Sequence, residues 1–569
     1  MPVARSIPAT LIALLCLLVP APAIGDTFDG LLRQGLALHQ QRLYSQAIAP
    51  LERAHRLQPL DYYANLLLGI DYLRTGQPGK ALSFLETASR VRPSDATALG
   101  YSAEAHAASG RMDQALGVLQ AARRRDPSPQ WRAALIRLYL TRFRAAAHAL
   151  RLSKVGLARS YRLQAQATRN GNYRRQRDSL LRAYALAPEL EGIESELAHA
   201  EIRQQRFEAA RHWLQRARAR NRRDLGVIAA EVYLSAHEGD WQEAEARLQE
   251  LERRSPRRTR TALAEWPDGV PLPDRLRHAA ERLSDPEPAT FSDIQTMFGS
   301  QQWEAVAAAV SPSEEDPDRL FQLGVALARL QQFEKAVISL ERVRSETRHR
   351  GEADYWLALS YARLAEDEAE ALGRNRSADP IRHAVRGEIL LRLAADGAGA
   401  AEEYRSAVDS TPGDPALWAG LAAAEAMAGN WDDARESAQK AIGLDPSRVL
   451  ALRTYAEVCM QERDYPAAVP ALEKVLELES GDAGARFLLG TAYSQTGEHE
   501  KALVFLRAAE RHGYPDERGR LQYMLGTVLR RLGRPEEARV AFRRAEGLSD
   551  SFAATSHSLA QPVAGSGQE

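Results

Sequence analysis

An all-α solenoid is the fold this sequence predicts: a right-handed superhelix of about thirteen or fourteen stacked helix-turn-helix units, in two segments. Three observations predict it. Glycine, alanine, aromatic and proline residues recur with a period of 34 along the chain. Apolar residues between these markers keep helical spacing. Long alternating runs rich in Val, Ile and Thr, the signature of strands, are absent. The 569 residues are 45% hydrophobic and 26% charged, too apolar for wholesale disorder and too charged for a multi-span membrane protein.

Residues 1–25 read as a secretory signal. Arg5 supplies the charged start, Leu11 to Val19 the apolar run, and Ala23 or Gly25 a small residue for cleavage, before Asp26 or after Ala23. The run is shorter than the roughly 20 apolar residues of a stable membrane anchor. Leu15 before Cys16 and the apolar residues after it argue against lipidation. Removing the leader leaves Cys459 alone, which excludes an internal disulfide or a cysteine-based metal site. The expected product is exported, periplasmic or secreted, with no transmembrane segment.

The repeats follow. In a unit numbered from Tyr62, Gly69 is eighth, Tyr72 eleventh, Gly76 fifteenth, Ala81 twentieth, Ala88 twenty-seventh and Pro93 thirty-second. The same slots return as Gly110, Ala115, Ala122 and Pro127, and as Trp418, Gly429, Trp431, Ala434, Ala441 and Pro446. They return again as Gly490, Tyr493, Gly497, Ala502 and Ala509, and last as Gly526, Gly533, Ala538, Phe542 and Ala545. Each slot has a physical task. Small residues at the eighth and twentieth positions let two helices approach closely. The fifteenth-position glycine breaks the chain between them, and the proline stops the second helix. No unit buries its apolar face alone, so neighbours must stack.

This pattern resembles the tetratricopeptide repeat family over nearly the whole chain after the leader, as an exported bacterial multi-repeat protein. The resemblance implies a non-catalytic scaffold that binds partner segments in a concave groove. It also implies that the second, fifth, ninth and twelfth positions of each first helix line that groove. Those positions give Leu32, Leu36, Leu66, Ile70, Tyr161, Tyr233, Phe321, Tyr355, Phe487 and Tyr523 as candidate partner-binding residues. Chaperone-binding members use Lys at the fifth and Asn at the ninth position; the nearest pair here is Arg453 with Glu457, whose acid spoils it.

The period breaks in four places. Residues 130–156 read as one shortened unit around Trp131, Tyr139 and Phe143, and another short unit lies near 351–380. Residues 257–286, with Trp266-Pro267, Gly269, Pro271 and Pro273, read as an irregular linker, and 287–316 as a short restart. Residues 550–569 read as a disordered tail. The expected division is therefore a signal at 1–25, arrays at 26–256 and 287–549 flanking the 257–286 linker, and the tail.

A net charge of zero hides an asymmetry. Residues 26–260 carry 39 basic and 25 acidic side chains, and residues 261–569 carry 35 and 50. The basic excess concentrates in 123–182, where Arg123, Arg124, Arg125, Arg142, Arg144, Arg151, Lys154, Arg174 and Arg175 form a candidate patch for an anionic envelope glycan or lipid. The alternatives are a solvated helix face, or attraction between the two halves, within one chain or between two. Nucleic acid is not an expected partner; other envelope proteins are.

No catalytic or metal constellation emerges, and no cofactor is expected. The 13 histidines never form HExxH, and His199 with Glu201 is a chance spacing in an amphipathic helix. Gly76-Gln-Pro-Gly79-Lys80 lacks the spacing and the Ser/Thr of a phosphate loop. Gly100-Tyr-Ser102 lacks the second glycine of a nucleophile elbow.

Overall fold

The computed structural model describes residues 27–560, interrupted at 42, 127, 151–153, 168–172, 223, 256–258, 261, 264–265, 268–269, 271–293, 300, 345–348, 374–378 and 517–518. The signal at 1–25, most of the 257–286 linker and residues 561–569 lie outside the described residues. Every described element is helical. Packing groups them into two units, residues up to 139 with 365–385, and 140–364 with 386–569. These units do not follow the two charge halves read from the sequence.

The first unit opens with three hairpins: Phe28–Gln40 with Tyr44–Leu57, Tyr62–Arg74 with Pro78–Val91, and Ala96–Ala108 with Met112–Arg125. The middle hairpin shows why each repeat slot holds its residue. A Cβ added to Gly69 would lie 2.4 Å from Leu85 Cγ, so only a bare Cα lets the second helix seat that fully buried leucine. Burying such a side chain contributes about 1.5–3 kcal/mol. Gly76 adopts φ +76°, a left-handed conformation that reverses the chain at no Cβ cost. Tyr72 stacks on Phe84 at 5.6 Å and bonds Glu52 of the preceding hairpin. Leu66, Leu68, Leu85 and Ala81 belong to one continuous core in this unit.

Several first helices start at an aspartate a little beyond the proline slot. The Asp61 carboxylate accepts from the Ala64 N–H at 2.8 Å, and Asp95 from Thr97 at 2.8 Å. Asp414 and Asp482 do the same for Ala416 and Gly484, each at 2.9 Å. These N-caps satisfy backbone donors that the helix leaves open.

Where the period breaks, helices lengthen rather than shorten. The segment expected as a short unit at 130–156 begins with one 22-residue helix, Pro129–Leu150, and 351–380 with a 24-residue helix, Arg350–Gly373. Neither 130–150 nor 352–372 contains Gly or Pro, so nothing stops a helix rich in Ala, Leu, Arg and Glu. The last helix, Pro535–Ala560, likewise runs into the segment read as unpatterned tail, whose Ser/Ala-rich start has no breaker.

In the second unit, one core joins Leu180 through Leu251, and another joins Leu452 through Ala541. Among the described residues no helix is long and apolar enough to cross a membrane.

Candidate functional site

A groove of about 1080 Å³ in the second unit is lined by successive first helices of the hairpins. Pro415–Ala428 contributes Met427, Val449–Gln461 contributes Leu450, Arg453, Glu457 and Met460, and Ala483–Gln495 contributes Phe487 and Thr491. Arg520–Arg531 adds Tyr523 and Met524, and the last helix adds Phe542 and Ala545. Three of the chain's six methionines meet here. Their unbranched, polarisable side chains adapt to varied apolar surfaces. Met427 and Tyr523 remain 50% and 58% exposed, so the groove offers apolar area to a partner.

Charges in the groove are arranged unequally. Arg453 donates to Asp482 and, at 3.2 Å, to Glu479, so its charge is balanced by its own chain. Glu457 has no such bond among the described residues, and burial raises its carboxyl above the usual range, with Arg453 opposing and Asp482 adding to the shift. The Arg453–Glu457 pair therefore cannot act as a basic clamp.

The sequence-derived groove residues separate into three environments. Phe487 and Tyr523 line this groove together, Phe487 stacking on Tyr514 at 4.4 Å. Leu32, Leu66 and Ile70 sit in the hydrophobic core with Leu36 packed against them, so they present little surface to a partner. Tyr161 is half-buried beneath Arg182, and Phe321 stacks on His349 at 4.5 Å. Tyr355 is buried and donates to Gln166 Oε1 at 3.2 Å. Tyr233 borders a separate polar cavity and donates to the Ala262 carbonyl at 2.8 Å. The sequence does not mark Met427, Met460, Met524 or Phe542 as groove residues. Met460, at a twelfth position, carried the one available signal.

The basic patch is dispersed. Arg123 and Arg132 both donate to Glu368, the latter at 2.6 Å. Arg142 lies 3.6 Å from Glu341 and over the Tyr361 ring, and Arg175 donates to the Ala395 carbonyl at 2.8 Å. Arg124, Arg125, Arg144 and Arg174 are exposed. Although Arg144 keeps solvent contact, the protein packed around it, with Arg392 and Arg453, pushes its guanidinium below the usual range. Arg151 lies outside the described residues; Lys154 begins a helix, Lys154–Ala167.

The polar cavity, of about 210 Å³, lies among helices of residues 154–363. Arg162 grips Glu196 with two bonds, 2.9 and 3.2 Å. Asp224 accepts from the Gly226 N–H at 2.6 Å, and His199 Nε2 meets the Gly226 carbonyl at 2.9 Å. The histidine singled out by spacing thus serves the packing of two helices. Among the described residues no group of three or more His, Cys, Asp or Glu could hold a metal ion.

Tetratricopeptide repeat models match residues 66–128 and 390–449, 459–520, and 519–552. The chain is a tetratricopeptide repeat protein. A curated relative, Protein SGT1 homolog from Oryza sativa subsp. japonica, is 37% identical over 84 residues, 15% of this chain and 23% of that protein. The chain therefore spans about a quarter of that relative's length. Among solved structures, MamA 41-end from Desulfovibrio magneticus RS-1 is 22% identical and covers 33% of this chain and 96% of its own, with a TM-score of 0.26. YrrB, a TPR protein with an unusual peptide-binding site, is 18% identical and covers 33% of this chain and 95% of its own, with a TM-score of 0.28.

Proposed function

We propose that this tetratricopeptide repeat protein is a non-catalytic scaffold of the cell envelope, and that it holds partner segments in the groove of residues 423–546. The observation that carries the reading is the wall of Met427, Met460, Tyr523 and Met524 over the buried Phe487, built by consecutive repeats. Such a surface suits an amphipathic helix or an extended segment anchored by apolar side chains. The glycan or lipid alternative is weakened, because Arg123, Arg142 and Arg175 already engage groups of this chain. The leader-like 1–25 segment supports an exported location, which fractionation of cells expressing the whole chain tests directly.

The test of binding is capture from an envelope extract by the whole chain, washed at low and at high salt. A partner held by apolar contact survives high salt, since screening acts on charges. Tyr523→Glu and Met427→Glu, at exposed positions, should abolish capture without unfolding the array. Capture unaffected by both changes would place binding elsewhere. Glycan or lipid released by salt alone would replace the scaffold reading with the basic segment.

A further inference from the structure

The polar cavity contains a cation on which Glu196 and Asp224 act only at a distance. Arg329 ends the helix Pro317–Arg329, and its guanidinium lies 4.7 Å from the Trp356 ring centre and 5.7 Å from that of Trp303. Among the described residues it has no hydrogen bond and no ion pair. The other arginines of the cavity are engaged. Arg162 holds Glu196 through two bonds, Arg363 donates to the Gln166 carbonyl at 3.2 Å, and Arg203 lies over the Tyr173 ring.

Arg329 remains open to solvent although protein surrounds it on most sides. Burial and the neighbouring Arg162 push its guanidinium below the usual range, a cost that an arriving anion would relieve. The two indoles attract the guanidinium through their ring faces, leaving its N–H edge for an acceptor in the guanidinium plane. A carboxylate fits that edge with two parallel bonds.

We propose that this cavity binds a carboxylate of an acidic peptide segment, received by Arg329 between Trp303 and Trp356. The proposal rests on the scaffold reading, since it assigns the chemistry of a second anchor on a peptide partner. Charge decides between anions. Arg162, Arg203, Arg329 and Arg363 face Glu191, Glu196 and Asp224 across the cavity, a formal excess of one positive charge when all seven are ionised. One carboxylate neutralises it, whereas a doubly charged phosphate would overshoot. Asp224 does not fill the role, because its carboxylate is turned to the Gly226 N–H at the start of the next helix. At about 210 Å³ the cavity has room for an acidic side chain with adjacent backbone.

The experiment measures binding of the whole chain to two labelled probes, a short glutamate-containing peptide and the same peptide with glutamine at those positions. Wild type should prefer the glutamate probe by about tenfold, the scale of one charge-assisted bidentate pair. Arg329→Gln should bring both probes to the glutamine level. Arg329→Lys should recover only part of the preference, because an ammonium cannot form the two-pronged contact. Arg329 makes no hydrogen bond within the described residues, so both variants should keep their helical circular dichroism.

Equal binding of the two probes by wild type, or a preference surviving Arg329→Gln, would overturn the proposal while leaving the scaffold reading intact. Loss of all Tyr523-dependent capture from wild type would sink the scaffold reading itself. A uronate oligosaccharide tests the other source of carboxylate. If it binds in an Arg329-dependent way and the acidic peptide does not, the peptide assignment is overturned.

Discussion

Glu425 is a buried acid held by two donors, the Ser437 hydroxyl at 2.8 Å and Arg405 at 3.0 Å. Burial raises its carboxyl above the ordinary range, and those two donors only partly oppose the shift. A raised folded-state value means that the native protein binds the proton more tightly than the unfolded chain. Its contribution is therefore fully present below about pH 4 and is lost as pH rises through the raised value. Glu425→Gln should consequently gain on wild type as pH rises from about 4 to 7, read by urea unfolding at several pH values. A difference that is flat in pH, or that shrinks over this interval, would contradict it. A second residue-scale device recurs between neighbouring hairpins: Tyr361 donates to Glu341 at 2.9 Å and Tyr493 to Glu473 at 2.5 Å, each twenty positions back in sequence. Tyr493→Phe removes one such bond and should cost about 1 kcal/mol by urea unfolding. The tyrosine slot was visible in the sequence. Its glutamate partner was not, because nothing local marks which of many surface acids it meets.

At the scale of the helix, packing between hairpin partners is the most legible feature. Gly69 stood out by period, and its space is taken by Leu85 from the second helix of the same unit. Gly69→Ala should destabilise by about 1–3 kcal/mol, as overpacking of a close helix crossing does; an unchanged urea midpoint would mean that the second helix shifts freely. The sequence predicts shortened units at 130–156 and near 351–380, where the structure holds long helices, because the period can lapse without any residue that stops a helix. Their role shows in Glu368, on Arg350–Gly373, which accepts from both Arg123 and Arg132 of the first unit. Its side chain is 8% exposed, so Glu368→Ala leaves two partly buried arginines without their acceptor. A loss of about 3 kcal/mol is expected, larger than for an exposed pair. If Arg159→Ala, which breaks the half-exposed pair with Glu352, costs as much, burial is not what matters.

Across the whole molecule, stability should follow nearest-neighbour stacking. The Phe28–Leu57 hairpin has a described neighbour on one side only, whereas Tyr62–Val91 is packed on both. Amide exchange should therefore be faster at Phe28–Gln40 than at Tyr62–Arg74, measured under native conditions by mass spectrometry. Uniform protection along the first unit would indicate cooperativity beyond neighbours.

The chain alone settled the helical hairpin, its 34-residue unit and the small residues at each crossing. All of these are contacts within a unit or with the next one, which periodic spacing encodes directly. Tertiary structure decided the rest. It spent part of the basic 123–182 stretch on Glu341, Glu352 and Glu368. It also sent Leu66 and Ile70 inward while leaving Tyr523 open, and seated Arg329 between Trp303 and Trp356. The physical reason is that a small rotation between neighbouring repeats accumulates over many units. Which distant side chains meet depends on that sum, and no single unit of sequence contains it.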